Sequence, residues 1–185
     1  RSLSAIVWAM RGRAEGLPLA RHTVFFSDDY PDEFMSIFKR GIVPRSPTVY
    51  VCAQDRDGAG GPNTGEAERL YMLINAPANG DTKTFDASET QRCLQDTMQQ
   101  LRACGLTLES EGEFNVTTPT QWNRLYPGSG GALYGRASHG WMASFARPGA
   151  RTAIPGLYLA GGSVHPGAGV PMAALSGRLA AQALL

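Results

Sequence analysis

Residues 154–180 read IPGLYLAGGSVHPGAGVPMAALSGRLA, and the fold is decided by what this stretch does. Leu157, Tyr158, Leu159 and Ala160 are apolar in succession, the pattern of a strand buried on both faces in a parallel sheet. Gly161 and Gly162 follow, and four of the nine positions 161–169 are glycine. Paired glycines alone occur in many strand-to-helix turns. A run this dense leaves backbone bare, so that a flat or charged ligand can lie against it. Pro171 suits the first turn of a helix. The amides of Met172 and Ala173 then point out of an N-terminus, an end that favours an anion or a polarised carbonyl. Gly177 and its small neighbours predict close packing of that helix on another element. Strand, bare turn and helix together predict an α/β fold with a ligand site on the glycines.

Working back from this stretch, residues 119–151 predict an irregular segment rich in glycine and aromatic residues, of the kind that lines a cavity. Before it, SAIVWAM (4–10), HTVFFS (22–27), TVYVCA (48–53) and RLYMLINA (69–76) carry the β-branched and aromatic residues of strands. LTLES (106–110) and EFNV (113–116) predict two more. The polar, glycine-rich 53–68 predicts an exposed hairpin connection. Pro31 and the acidic residues around it predict a short helix with Phe34, Ile37 and Phe38 on one face, ended by Gly41. A longer helix is predicted from about 88 to 104, with Leu94, Met98 and Leu101 at helical spacing. Ser88 with Gln91 offers a capping box there, and Asp86 is a competing cap.

The 185 residues carry 17 Lys and Arg against 16 Asp and Glu, which excludes the electrostatic footprint of a nucleic-acid binder. Three cysteines without a C-x-x-C pair predict reduced thiols and a cytoplasmic protein rather than a disulfide framework. No cluster has metal-ligand spacing, so no metal is expected. No apolar run is long enough to span a bilayer. The chain opens on Arg1 inside a strand-like run and closes inside a helical pattern, so it is expected to be a piece of a longer protein. His22 opens a strand and reads as structurally ordinary. His139 sits in the aromatic segment, and His165 follows the bare turn as a cofactor-proximal or structural residue. Tyr134 and Trp141 are candidates for an apolar substrate channel, with Leu133 and Phe145 beside them. No residue is singled out as a catalytic base.

The stretch Leu157-Tyr158-Leu159, Gly161, His165-Pro166-Gly167, Gly169, Pro171 and Ser176-Gly177 resembles the C-terminal cofactor motif of the phytoene-desaturase family. Residues 46–80 and 117–135 are similar to further family segments, so the resemblance covers about 20 to 184. Within the family, residues 132–149 and 161–178 most resemble the hydroxycarotenoid 3,4-desaturases of purple photosynthetic bacteria.

The resemblance implies a fragment of a two-lobed, Rossmann-like FAD flavoprotein with a mixed β-sheet flanked by helices. Residues 1–116 would belong to an α+β substrate lobe, 117–153 to a loop-rich connection lining the active site, and 154–185 to the FAD domain. Gly161, Gly162 and Ser163 would lie near the pyrophosphate and ribityl chain, and Val170, Pro171 and Met172 under the flavin ring. The family's G-x-G-x-x-G fingerprint for the ADP half is missing from this stretch of sequence. The chain alone is therefore expected to bind FAD poorly and to purify colourless. The implied activity is FAD-dependent insertion of a C–C double bond into a polyene, at C3–C4 of 1-hydroxycarotenoids. A carotenoid substrate, a peripheral membrane surface and quinone or oxygen as electron acceptor go with it. The alternatives are phytoene desaturation or another carotenoid-modifying flavin reaction, and, in another class, a non-catalytic lipid- or partner-binding domain.

Overall fold

The structure, a computed structural model, describes residues 1–57, 65–137 and 147–185. They form two compact units, Leu3–Gly131 and Ala132–Leu185, the latter including Arg1–Ser2.

The larger unit is a sheet built around one long strand. β1 (Ser4–Gly16) pairs with β4 (Glu68–Ala76) on one side, and with β5 (Leu106–Ser110) and β6 (Asn115–Thr117) on the other. β3 (Val49–Ala53) follows on β4, and β2 (His22–Phe25) ends the order β2-β3-β4-β1-β5. Every registered pair is antiparallel, and the parallel part of a mixed sheet is not among the described residues. The sheet is flanked by helices, as expected.

β1 runs six residues beyond the predicted Met10. Its second half hides from a hydrophobicity reading because Arg11, Arg13 and Glu15 alternate with buried Gly12 and Ala14. Arg11 and Arg13 both reach Glu111, the latter at 2.6 Å.

The period-2 pattern separates the two faces. Ile6, Trp8 and Met10 of β1, Val49 and Val51 of β3, and Leu70, Met72 and Ile74 of β4 point one way and form the core. α2 (Ala87–Ala103) packs on that side against β3 and β5. Its buried line is Cys93, Thr97 and Leu101, with Leu94 and Met98 partly covered. Thr97 sits in the core at no polar cost because its hydroxyl donates to the Cys93 carbonyl at 2.7 Å. Asp86, not Ser88, caps α2. Its carboxylate accepts from the Glu89 amide at 2.8 Å, and Ser88 donates to the same oxygen.

α1 (Tyr30–Met35) continues into a π-helical turn, Ser36–Arg40, which Gly41 stops with φ +66°. Of the expected face of Phe34, Ile37 and Phe38 only Ile37 is buried, and Glu33 and Ser36 join it in place of the two rings. Glu33 is tolerated there because its carboxylate accepts from the Thr48 amide at 3.1 Å and from Asn75 Nδ2 at 2.9 Å. Phe34 and Phe38 instead extend a ladder of rings begun by Phe26 and Tyr30, with centroids 4.9 to 6.2 Å apart.

Residues 119–151 are not irregular throughout. α3 (Pro119–Leu125) begins with Pro at N1, and the Thr118 amide donates to Gln121 Oε1 at 2.6 Å. Trp122 Nε1 donates to the Ala5 carbonyl, tying α3 to β1. Gly80 passes so close beneath α3 that a Cβ there would lie 2.1 Å from the Pro119 oxygen.

The smaller unit carries α4 (Val170–Leu184) and an isolated antiparallel bridge between Arg151 and Tyr158. Residues 157–160 are not the predicted parallel strand, and Leu157 is 45% exposed. A strand apolar on both faces is covered only when strands flank it. No other strand of this unit lies among the described residues.

Candidate functional site

The bare turn is held in shape from behind and left open in front. Gly161, Gly167 and Gly169 have φ of +124°, +140° and +103°, a region side chains rarely enter. At Gly161 and Gly169 an added Cβ would meet nothing within 4 Å, so backbone conformation rather than crowding selects glycine there. Behind the turn, the Gly161 amide donates to Ser176 Oγ at 3.2 Å, and Ser176 is fully buried. Arg147 Nη1 donates to the Gly162 carbonyl at 2.9 Å, and the His165 amide donates to Pro148 O at 2.9 Å. His165 thus serves through its backbone, while its side chain is exposed.

Ser176 and Arg147 are supports that sequence reasoning did not assign. Ser176 was quoted only as part of a motif, although a lone hydroxyl in a helix of small residues is a usable signal. Arg147 reaches a carbonyl fifteen positions away and gave none.

Gly169 precedes α4 and supplies no side-chain cap, and the Ala173 amide, expected to point out of the N-terminus with that of Met172, instead donates to the Gly169 carbonyl at 2.8 Å, as an intrahelical bond of the first turn. Val170 is 85% exposed and Met172 42%, with Pro171 exposed between them. Gly161, Gly162 and Ser163 thus belong to the turn, and Val170, Pro171 and Met172 to the exposed first turn of the helix that follows it. Ser163 packs against Gly135, where a Cβ would fall 2.1 Å from its Oγ. Tyr134, the neighbour of Gly135, is 48% exposed and its amide donates to Ser2 Oγ. Trp141, His139 and Phe145 lie outside the described residues. Gly177, expected at a close helix contact, has open space where its Cβ would be.

These features fit a flavin. Uncapped amides and bare backbone suit phosphate and carbonyl oxygens, and exposed Val170 and Met172 offer an apolar ledge for a ring. Among the described residues no group of His, Cys, Asp and Glu could hold a metal ion.

The sheet's second face, away from α2, carries a separate cluster. His22, Val24, Tyr50, Tyr71 and Leu73 share it by register. His22 Nδ1 and Tyr50 Oη are 2.7 Å apart with the rings stacked, and Tyr71 meets Tyr50 edge-on. Burial, and then the Cys52 thiol beside it, pushes the Tyr50 phenol up to about 12.

Residues 42–185 match the model of the flavin-containing amine oxidoreductase family. The chain is 54% identical over its whole length to hydroxyneurosporene desaturase of Rubrivivax gelatinosus and 47% identical to that of Rhodobacter capsulatus, covering 35% and 36% of them. It is 31% identical, over 98% of its length, to 1-hydroxycarotenoid 3,4-desaturase of Flavobacterium sp., of which it covers 37%. The chain spans about a third of the length of these curated relatives.

Proposed function

The chain belongs to the flavin-containing amine oxidoreductase family, and from that premise we propose that the whole protein is an FAD-dependent carotenoid desaturase acting at C3–C4 of a 1-hydroxycarotenoid. The observation that carries the proposal is the stretch from Gly161 to Met172, a bare, preformed turn leading into an uncapped helix. The relatives' names supply the substrate class. The fold we propose for the whole is two-lobed and Rossmann-like, with residues 1–116 in a substrate lobe, 117–153 connecting it to the site and 154–185 in the FAD domain.

Gly161, Gly162 and Ser163 hold the diphosphate and ribityl region, and Val170, Pro171 and Met172 support the ring. A bound flavin would supply the two-electron acceptor, for a hydride from one carbon of a saturated C–C unit of the polyene, with a proton lost from the adjacent carbon to solvent. The chain's own part is orientation and exclusion of water. Ser176 and Arg147 keep the turn in its open conformation, and the α4 amides favour negative charge at the ring's carbonyl edge. Tyr134 borders the polyene.

A carotenoid is delivered from lipid. Among the described residues no helix is long and apolar enough to cross a membrane. The exposed ladder of Phe26, Tyr30 and Phe38 supports peripheral contact with a membrane surface on the cytoplasmic side. The electrons pass on to quinone or oxygen.

The test is the full-length protein, reconstituted with FAD and given a 1-hydroxycarotenoid. A product lacking two hydrogens at C3–C4 is expected. No new double bond, or a protein that takes up no flavin, overturns the proposal. Gly169→Val is expected to lower flavin occupancy about tenfold, because a β-branched residue is strained at that φ.

A further inference from the structure

The second face of the sheet carries an apolar patch between polar ends, with Arg11 and Arg69 beyond Ala9 and Tyr71 on one side and Asn75 beyond Leu73 on the other. Val24, Tyr50, Leu73 and Val7 lie side by side in register, one from each of β2, β3, β4 and β1; the first three are exposed or half-buried and Val7 is buried. At about 4.8 Å between strands this row spans about 14 Å. Beside it lie Cys52, Tyr71 and Ala9. The face is open toward β2, where Val24 is 46% exposed, and closed toward β1, where Val7 is buried. Within the patch sits the stacked pair, where Tyr50 Oη and His22 Nδ1 share a hydrogen bond at 2.7 Å. His22 is exposed at the edge strand, and its Nε2 has no partner among the described residues.

The pair offers what a hydroxyl needs when it leaves water. A phenol and an imidazole, each both donor and acceptor, can take one more hydrogen bond without ionising. The phenol stays neutral well above physiological pH, as the shift of Tyr50 up to about 12 requires. A hydroxyl set in an apolar surface without such partners costs more than one that finds them. An unsubstituted polyene would leave the pair's own free capacity unmet.

We propose that this face binds the hydroxylated end of the polyene, with His22 and Tyr50 hydrogen-bonding its hydroxyl and the accessible part of the row, Val24 and Leu73, lying along the chain beside it. The inference rests on the desaturase proposal above and adds to it the residues that select a hydroxylated over an unhydroxylated substrate. His22, which opens a strand and read as ordinary in sequence, becomes a specificity residue.

The experiment uses the full-length protein with FAD and two polyenes of equal length, one with a terminal hydroxyl and one without. The quantity read is the ratio of their kcat/KM values, together with the ratio of their Kd values from the visible absorption shift without turnover. In Tyr50→Phe both ratios are expected to fall about tenfold, the worth of one hydrogen bond to a desolvated hydroxyl. A merely structural role for Tyr50 lowers both polyenes alike and leaves the ratios within about twofold, which overturns the inference. Should Tyr50→Phe not accumulate as folded protein, His22→Phe, at an exposed edge position, is read the same way. Wild-type protein that desaturates neither polyene removes the desaturase proposal and the inference with it. Wild-type activity with an unshifted ratio removes the inference alone.

Discussion

At the scale of single residues, buried polarity among the described residues is matched in most places, with Ser4 Oγ, Trp8 Nε1 and Asn79 Oδ1 the exceptions. Arg56 and Glu68 are 12% and 10% exposed, and Arg56 Nη1 also donates to the Leu19 carbonyl at 2.8 Å. Breaking such a pair strands a charge. Glu68→Gln is expected to cost about 3 kcal/mol in urea denaturation, and Arg56→Met with Glu68→Leu to recover most of it. The cysteines divide by environment. Burial pushes the Cys93 thiol up to about 11, whereas Cys104 is exposed just past the end of α2. Mass-mapped alkylation of the native protein at pH 8 should modify Cys104 at least tenfold faster than Cys93, since the thiolate is the reactive form. Gly177→Ala should stabilise α4 by about 0.5–1 kcal/mol, because glycine costs helix propensity and open space receives the methyl. A loss instead would reveal an element of the whole protein packed there.

At the scale of elements, helix ends and exposed faces carry the testable content. The Asp86 carboxyl lies below its usual range because the Glu89 amide, then the Ser88 hydroxyl, bond its charged form. A depressed folded pKa gives stability that is present above the unfolded value of about 3.9 and lost as pH falls through the folded one. Asp86→Ala should therefore lower Tm at pH 7, with the gap to wild type closing below about pH 4. The ring ladder belongs to α1 and its π-helical continuation. Tyr30→Ser with Phe38→Ser should reduce co-sedimentation with lipid vesicles about tenfold without changing far-ultraviolet dichroism. The elements were largely legible because period-2 and period-3.6 patterns are local. β3, β4, β5 and α2 fall within a residue or two of expectation. α3 was legible and overlooked, since Thr118, Pro119 and Gln121 already spell a capped helix start. The charged half of β1 was not, because its cover is Glu111, a hundred positions away. The aromatic face of α1 misled for a related reason: a carboxylate with two donors outcompeted phenylalanine for the buried side.

At the scale of the molecule, what sequence could say of the site divides along the same line. The positive φ of Gly161, Gly167 and Gly169 was readable, because only glycine enters that region at no cost. Of the ties that fix the turn, each joining positions fifteen apart, the lone hydroxyl of Ser176 left a trace in the sequence and Arg147 left none. The expected strand at 157–160 failed because composition describes the neighbours a segment wants, not the ones it has. β1 has one more consequence, in the order of events during folding. Its register joins Val7 to Thr117 and Arg13 to Glu109, so the central strand waits for partners made about a hundred residues later. Closing so large a loop is entropically uphill until both edges arrive, and non-local pairing of this kind is slow. During synthesis the nascent strand stays half-zipped, its edge toward β5 and β6 open to other chains until residue 117 has emerged.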